Sequence, residues 1–560
     1  MLKKSSIFEK ADEEQTAVAA ILSGNGSLKY SSSGNAFVDD FSSLSKYLEP
    51  RSIDEVFATM SDLWERNALK ALKEEGYVRG ITRQPIFRGE KLSTLRAQGL
   101  KSEAILRLYW VALNHPNIYK KNLPVFVAEG SWKDLFAILE CLLTYNRGIE
   151  GTRHPAWKAT INFILKGLED ESQRDLIKKY LPTIRSIKGL SMHRQCSSFI
   201  GRALAVRLYP NLPKACAYKA YRKLKASGTA HEWEQLISRR QFSKLPSIFN
   251  KIAGRALTSL VKKNKKGTSF FERHNLTSAY QEWMEDKPVL NFTGYPYELM
   301  KYVRISEDNH WHPIAIMPRE QYIINTFDKQ FTQLVATAKK DMNTKSSFIC
   351  AIDVSSSMTS PAPGTNLSAY QVALSMALYF SELLTGRFHN QFIQFSTTAK
   401  LSSFKGVTPL EKLTTFVPED MGSTNFLAVA NIFVKLKKIG VDEDLLPKGV
   451  ICISDGEFNR SGNQTNFTTF MNILRRAGFS DDFISNFKIV LWDIPNYYYG
   501  KPVTKFESLA KEGNFFYMSG FDGAGIAFLT GTKYQKKIPR TPEELFEAAM
   551  NQELLNKLSL

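Results

Sequence analysis

The amino-acid sequence predicts a protein of the α plus α/β class, in which a helical N-terminal half precedes a doubly wound parallel-sheet domain. At 560 residues the chain is long for one hydrophobic core, so two or three domains are expected. Between residues 52 and 302 the apolar residues recur at helical spacing. From residue 347 onward, short β-rich runs alternate with helical stretches, which is the pattern of a parallel sheet covered on both faces.

The helical half is expected to consist of paired helices. The apolar residues Ile105, Leu106, Tyr109 and Leu113 recur at helical spacing. Ser131 followed by Asp134 is a capping-box signature that predicts the start of another helix. Pro116 and Pro124 are expected to bracket a short connector, so that the flanking helices form an antiparallel hairpin. The sequence has no clean period, so the succession of hairpins alone suggests a helical-repeat array.

The C-terminal half is expected to form the sheet domain. The predicted strands are Ser347–Val354, Phe392–Phe395, Val450–Ser454, Phe487–Trp492 and Phe515–Met518, and the predicted helices lie near Ala369–Thr385, Leu427–Lys438 and Phe467–Ala477. Ligands of such sheets bind at the carboxyl ends of the strands. We therefore divide the chain into an N-terminal tail (1–23), a helical-repeat module (24–340), a sheet domain (341–535) and a C-terminal helix (536–560).

Composition narrows the class of protein. With 43% hydrophobic and 23% charged residues the chain has the composition of an ordered globular protein. Its five cysteines form no CxxC pair, which disfavours both a disulfide framework and a cysteine zinc site. The first residues contain no apolar stretch long enough for a signal peptide, and no run of about 18 apolar residues occurs in the sequence, so neither feature is expected. We expect a cytoplasmic protein that does not associate with membranes and is a monomer.

The positive charge is concentrated in one segment. Residues 151–280 contain 26 Lys and Arg against 7 Asp and Glu, so this segment carries the whole net charge of +19. Such density attracts polyanions, because each neutralised phosphate releases counterions. A solvated basic face that only maintains solubility is the alternative. The predicted RNA contacts are Lys178, Lys179, Arg185, Lys188, His193, Arg194, Arg222, Lys223, Lys225, Lys262, Lys263, Lys265 and Lys266.

Three loops of the sheet domain carry oxygen donors. The first strand ends in a D-x-S-x-S sequence that contains Asp353, Ser355 and Ser357. Thr424 lies on a loop before a helix, and Asp455 directly follows a buried strand. Two carboxylates and three hydroxyls suit a hard divalent cation such as Mg²⁺, with water completing the coordination. An ordinary turn after a strand is the alternative interpretation of D-x-S-x-S.

Catalysis finds little support in the sequence. The chain has no GxxxxGK[ST] phosphate-binding loop, no HExxH and no GxSxG. A metal-dependent hydrolase is the remaining enzymatic alternative, but a two-metal site would need more acidic ligands. We therefore expect a non-enzymatic protein.

The donor set resembles the metal-ion-dependent adhesion site of von Willebrand factor A domains at all five positions. The N-terminal half contains segments that look like those of TROVE-like proteins, the superfamily of the Ro ribonucleoprotein autoantigen. The segments that carry this resemblance are Leu28–Ala36, Asn114–Pro116, Asn122–Pro124, Gly130–Leu135, His231–Glu234, Lys244–Ser247, Tyr295–Leu299, Leu491–Asp493 and Ser519–Phe521. The resemblance spans roughly residues 24–530 and is greatest to a poorly characterised branch of TROVE-like proteins.

The resemblance implies a ring of HEAT-like helical repeats closed by a von Willebrand A domain. It also implies that small or misfolded RNA lies on the basic outer surface and that single-stranded ends enter the ring. In the Ro family basic residues and a histidine contact RNA, and the matching region here contains Lys178, Lys179, Lys188, His193 and Arg194. We expect a non-enzymatic RNA-binding protein that holds Mg²⁺. The alternative is a metal-dependent interaction or structural module, associated with a virion if the protein is phage-encoded, that captures an acidic protein ligand.

Overall fold

A computed structural model describes most of the chain, and the chain folds into two compact units. The described residues are 20–22, 28–30, 35–44, 51–80, 85–93, 95, 97–145, 148–185, 191–229, 249, 269–292, 294–300, 302–307, 312–318, 320–341, 348–361, 367–456, 458–459, 466–494, 515–519, 539 and 541–560. The sheet unit comprises Met1–Leu48, Tyr295–Pro318 and Val335–Phe546. The helical unit comprises Glu49–Gly294, Arg319–Leu334 and Glu547–Leu560.

The described elements confirm a mixed α plus α/β fold. Up to residue 229 they are β1 (Ala20–Leu22), β2 (Leu28–Tyr30), α1 (Ala36–Ser43), α2 (Ile53–Arg79), β3 (Ile86–Phe87), β4 (Glu90–Lys91), α3 (Lys101–Asn114), α4 (Pro116–Glu129), α5 (Trp132–Tyr145), α6 (Pro155–Glu169), α7 (Glu171–Tyr180), α8 (Met192–Leu208) and α9 (Lys214–Thr229). The next are α10 (Phe270–Arg273), α11 (Thr277–Glu285), α12 (Pro296–Met300), β5 (Arg304–Glu307), β6 (Pro313–Ile316) and α13 (Gln321–Asp341). The last are β7 (Phe348–Asp353), α14 (Ala369–Leu383), β8 (Gln391–Phe395), β9 (Ala399–Ser403), α15 (Pro409–Thr414), α16 (Leu427–Lys438), β10 (Gly449–Ser454), α17 (Asn466–Arg476), α18 (Asp481–Asn486), β11 (Lys488–Asp493), β12 (Phe515–Ser519) and α19 (Pro542–Met550).

The helical unit is built from helices that pack on their neighbours in sequence. Helices α3, α5 and α8 lie side by side, and α4, α6, α7 and α9 form a second row against them. Helix α2 begins at a complete capping box, in which the side chains of Ser52 and Glu55 bond reciprocally to backbone N–H groups. Helix α5 begins after Ser131, as the sequence predicts, and Asp134 accepts the Ser131 N–H at 2.8 Å.

The expected connector between Pro116 and Pro124 is wrong, because both prolines belong to one helix. Helix α4 runs from Pro116 to Glu129, with Pro116 in the first turn, where a missing N–H costs nothing. Pro124 lies inside the helix and removes one backbone hydrogen bond. Its neighbours Leu123 and Val125 are buried, so packing of α4 outweighs the lost bond.

The sheet unit contains a six-stranded sheet in the order β12-β11-β10-β7-β8-β9. The five predicted strands are confirmed to within two residues at each end and pair in parallel. Strand β9 was not predicted, and it adds an antiparallel edge against β8. From β7 the chain proceeds to β8 on one side and later to β10 on the other, so the strand order reverses between β7 and β10. Such a switch point opens a crevice at the carboxyl edge of the sheet.

Both faces of this sheet are covered. Helix α14 packs on one face against β7, and α16 packs against α17 on the other. The core of the second face is rich in phenylalanine, and Phe426, which is fully buried, contacts the rings of Phe395, Phe467 and Phe470 at 5.0–6.0 Å. The two-sided burial explains why β7 and β10 read as continuous apolar runs.

The sheet unit also includes residues that precede the first sheet strand. Gln371 of α14 is buried, and its side-chain amide donates to the backbone oxygens of Met300 at 3.3 Å and Val303 at 3.2 Å. Tyr297 meets the ring of Trp492 edge-on at 6.5 Å. Residues from Tyr295 onward therefore contribute to the core of this unit. Across the described residues, no helix has the length and apolar composition that crossing a bilayer requires.

Candidate metal centre and basic helical surface

The loop that follows β7 arranges three of the predicted metal ligands. Asp353 is the last residue of the strand and is fully buried, and its Oδ1 accepts the backbone N–H of Ser355 at 2.9 Å. The hydroxyls of Ser355 and Ser357 lie 3.1 Å apart. Ser355 is buried whereas Ser357 is exposed. This loop therefore presents a carboxylate and two hydroxyls in a row that leads from the core to the surface.

The neighbouring strand supplies the second carboxylate. Asp455 directly follows β10, which pairs with β7 across the switch point, and it is 4% exposed. Ser454, the last residue of β10, donates its hydroxyl to Asp353 Oδ2 at 2.7 Å and accepts the Gly456 N–H at 3.1 Å. Ser454 was not among the predicted site residues. The sequence signal that could have identified it is its position directly before Asp455 at the end of a strand.

Thr424 lies on a loop that is bonded to both neighbouring loops. The N–H of Asn425 donates to Ser396 O after β8 at 2.7 Å, and Thr424 O accepts the N–H of Asn459 at 2.8 Å. Thr424 itself is 3% exposed. Gly422 leaves room for Thr397, whose hydroxyl accepts the Ser423 N–H at 3.1 Å. These bonds hold the Thr424 loop at the same edge of the sheet as Asp353 and Asp455.

The electrostatics of the pair of carboxylates favour a cation. Burial, followed by the charge of Asp455, raises the pKa of Asp353 to about 7, although hydrogen bonds from Ser454 and Ser355 act in the opposite direction. A divalent cation between the two side chains would favour the ionised form of Asp353 in this buried setting. Carboxylate and hydroxyl oxygens are donors that Mg²⁺ accepts. The residues present therefore fit a hard divalent ion.

Other kinds of metal centre find no support in the described part of the chain. No group of three or more His, Cys, Asp and Glu residues there is arranged to hold a metal ion. Cys350 and Cys452 are buried in adjacent strands, and burial raises the pKa of the Cys452 thiol. A cation site among these residues would therefore depend on hydroxyl oxygens as well as carboxylates.

The predicted RNA contacts fall into three groups. Lys188, Lys262, Lys263, Lys265 and Lys266 lie outside the described residues. Three others have protein partners: Lys178 pairs with Asp175 at 3.0 Å, His193 Nδ1 lies 2.9 Å from Glu140 Oε2, and Lys225 donates to the backbone oxygen of Leu181. The remaining five are Lys179, Arg185, Arg194, Arg222 and Lys223, and within the described chain none of them forms an ion pair.

Helix α9 exposes a basic face because its other face is anchored. Ala217 and Tyr221 are fully buried, and the Tyr221 hydroxyl donates to Pro182 O at 3.0 Å. Opposite them, Lys219, Arg222 and Lys223 are exposed at helical spacing i, i+3 and i+4. Lys219 was not among the predicted contacts. We call these three residues the α9 basic face.

Residues 176–231 contain no Asp or Glu at all, but they contain twelve Lys and Arg. Helices α8 and α9 lie entirely within this stretch and pack against each other. They have no carboxylate of their own to neutralise the cations. This acid-free stretch was the signal in the sequence that would have pointed to Lys219, and also to the exposed residues Arg207 and Lys214.

The fold and the site together define an α plus α/β protein with oxygen donors at the carboxyl edge of the sheet, beside its switch point. Residues 347–553, which cover much of the sheet unit, match the sequence profile of a family described as a domain of unknown function, DUF7788. Comparison with curated proteins gives no match. The match says which family this part of the chain is similar to and carries no function, so the function has to be argued from the site.

Proposed function

We propose that this protein is a non-enzymatic RNA-binding protein, in which a HEAT-like, TROVE-like helical module binds RNA and a von Willebrand A-like domain holds Mg²⁺. The observation that carries the proposal is the acid-free stretch of residues 176–231, which leaves the α9 basic face without intrahelical carboxylates. Net positive charge confined to one surface is what a polyphosphate recognises. A solubilising surface would instead intersperse both signs of charge.

The spacing of the α9 basic face fits a phosphate backbone. Lys219, Arg222 and Lys223 cover about one helical turn, which is about 5 Å of helix axis. Arg222 can bond a phosphate through two N–H groups, whereas the lysines act as point charges. Contacts of this kind position a nucleic acid and carry no sequence information. The proposed partner is therefore RNA recognised through its backbone.

The test is charge reversal on α9. We expect the K219E/R222E/K223E variant to bind a structured RNA at least tenfold more weakly than the wild type in a filter-binding titration at 100 mM salt, because it removes three phosphate contacts. The matched control is K405E/K435E/K438E, which makes the same change in net charge at exposed lysines of the sheet unit. Equal weakening by both variants would show that only total charge matters, and unchanged affinity would exclude α9.

The proposed Mg²⁺ site involves Asp353, Ser355, Ser357, Thr424 and Asp455. The ion would supply a Lewis-acidic position that accepts an oxygen ligand from outside the protein. Asp353 and Asp455 provide the negative charge, and Ser454 orients the Asp353 carboxylate through the 2.7 Å hydrogen bond. Exposed Ser357 marks the side from which a ligand can approach.

A second function is favoured by the small number of carboxylates at this site. Two carboxylates balance the charge of a divalent cation but leave some of its coordination positions open. An acidic group of a protein partner can occupy one of these positions. In this case the sheet unit captures an acidic protein and the helical unit is a scaffold. The test is fluorescence anisotropy with labelled polyglutamate: binding that requires MgCl₂, disappears with EDTA and is lost in D353A supports this function. Binding that persists in EDTA contradicts it.

A further inference from the structure

The final residues of the sequence lie in the helical unit, more than 430 positions away from the helices that they contact. The C-terminal segment, defined as residues 551–560, has one short turn of 3-10 helix at Leu555–Lys557. Leu554, Leu555 and Leu558 are 1%, 0% and 4% exposed. The three leucines therefore anchor a segment that has little regular structure of its own.

Leu555 packs against α2 at Gly76, where the absence of a side chain leaves a notch in the helix surface. Gly76 lies within α2 and has a helical backbone conformation, which any residue could adopt, so the backbone itself does not require glycine. A Cβ atom at this position would lie 2.4 Å from Glu129 Oε1 and 2.7 Å from Leu555 Cδ2. The missing side chain thus allows both Glu129 of α4 and Leu555 to approach the backbone of α2. A larger residue would close the notch.

Asn122 of α4 recognises the backbone of the segment. This residue is 1% exposed, its Nδ2 donates to Ser559 O at 2.7 Å, and its Oδ1 accepts the Ser559 N–H at 3.0 Å. The carboxamide thus satisfies both backbone groups of one residue, as a neighbouring β-strand would. A buried carboxamide that lost this partner would lose two hydrogen bonds at once.

Polar contacts fix the position of the segment along the groove. Lys121 Nζ donates to Leu560 O at 2.6 Å, and Lys73 Nζ donates to Asn556 Oδ1 at 2.7 Å. At the other end, Glu553 Oε2 accepts the Ser93 N–H at 2.6 Å. The segment is therefore held by apolar anchors, by backbone recognition and by end contacts, which are the three components of a peptide-binding site.

We propose that α2 and α4 form a peptide-binding groove and that the C-terminal segment is its intramolecular ligand, a clasp that opens and closes. Helices α2 and α4 keep other faces packed on α3 and α6, so the helical layers do not depend on the groove being filled. The clasp is bound through side chains and forms no backbone ladder with either helix. It can therefore detach by local opening while the unit stays folded.

The first experiment is amide hydrogen exchange of the full chain. We expect the amides of residues 554–559 to exchange at least tenfold faster than those of α3, because the clasp opens locally. Exchange of both regions at one common rate would show that the segment unfolds only with the whole unit, and it would overturn the proposal.

The second experiment measures binding of a fluorescein-labelled synthetic peptide with the sequence of residues 551–560. The L555A/L558A variant of the full chain weakens the internal clasp, so we expect it to bind the peptide at least tenfold more tightly than the wild type. Adding N122A should abolish this binding, whereas N117A, which alters an exposed Asn of the same helix, should not.

Two outcomes of this experiment contradict the clasp. If L555A/L558A retains its helical circular dichroism but fails to bind the peptide, the groove is not a peptide site. If the variant loses its helical signal, the segment is part of the fixed core. A concentration-dependent dimer of L555A/L558A is not expected, since the weakened segments bind poorly in trans as well, and its appearance would also count against the proposal.

Discussion

Asp353 shows how one buried carboxyl group can be prepared for a cation. It is fully buried, faces the charge of Asp455 and receives hydrogen bonds from Ser355 and Ser454. The bonds hold its oxygens in place, while burial and the second carboxylate oppose its ionisation. A bound divalent cation would remove that opposition. The site therefore suits an ionised Asp353 carboxylate with a cation beside it better than the same carboxylate without a cation.

We expect D353N to reduce Mg²⁺ affinity at least a hundredfold, because it removes one of two carboxylates and disturbs the bonded loop. Isothermal titration calorimetry with MgCl₂ measures the change. The matched control is D444N, since Asp444 is a fully exposed carboxylate of the same unit. Equal affinity of D353N and wild type would exclude this residue as a ligand.

Glu75 is the second buried carboxyl group with a marked shift. It is 1% exposed, and burial raises its pKa to about 8 although Arg79 and Arg107 act in the opposite direction and Asp134 adds to the rise. In the unfolded chain the pKa is near its ordinary value of 4.5. Between these two values the folded protein holds a proton that the unfolded chain has lost. Folding stability from this group is therefore complete below pH 4.5 and declines as pH rises toward 8.

The expected result is that E75Q flattens this part of the pH profile. When the folded state binds one proton more than the unfolded state, the free energy of unfolding changes by at most about 1.4 kcal/mol per pH unit, and E75Q removes this dependence. Thermal denaturation at pH 5, 6, 7 and 8 checks it, with E65Q, an exposed position of the same helix, as control. A wild-type profile parallel to that of E75Q would show that Glu75 does not hold a proton in this range.

The individual elements show where sequence patterns are sufficient. Strands that are apolar on both faces, such as β7 and β10, were predictable because short apolar runs with β-branched residues fit a buried strand better than a helix. Strand β9 has the sequence Ala-Lys-Leu-Ser-Ser and lies at the edge of the sheet, so it lacks that signal. The loop predicted between Pro116 and Pro124 was wrong, because tertiary packing of α4 overrides the local preference of proline.

The loops of the candidate metal site show the same contrast between what a sequence pattern predicts and what only the three-dimensional structure shows. The order of the strands placed Asp353 and Asp455 at one edge, because parallel strands end on the same side. Ser454 could not be assigned, since its role depends on the direction of its hydroxyl toward Asp353. For α9, the charge was evident from the sequence, but the face that carries it depends on the burial of Tyr221.

Phe426 links the phenylalanine core of the sheet unit to the loop that carries Thr424. It directly precedes α16 and lies two residues after Thr424, and four other phenylalanine rings surround it at 5.0–6.0 Å. We expect F426A to lower the free energy of unfolding of the sheet unit by about 3–5 kcal/mol. Urea denaturation followed by fluorescence measures it. V407A, at a residue that is 89% exposed, should change stability by about 0.5 kcal/mol or less; equal losses would contradict the core assignment.

The whole molecule combines two units of different electrostatic character. The sheet unit contains a small, buried acidic site, and the helical unit includes a stretch of 56 residues without a carboxylate. This asymmetry was visible in the sequence, because net charge per segment requires no structure to count. The division into units was less visible, since Tyr295–Pro318 and Glu547–Leu560 belong to units that their sequence neighbours do not suggest.

The central claim is that the basic helical surface binds RNA phosphates, and a salt titration of RNA affinity tests it most directly. With about six phosphate contacts, the association constant should fall on the order of a thousandfold between 50 and 200 mM KCl, with a logarithmic slope of roughly −4 to −5. The K219E/R222E/K223E variant should show a shallower slope by about 2 to 3. A loss of less than about tenfold for the wild type over this range, or the same slope in the variant, would contradict the account.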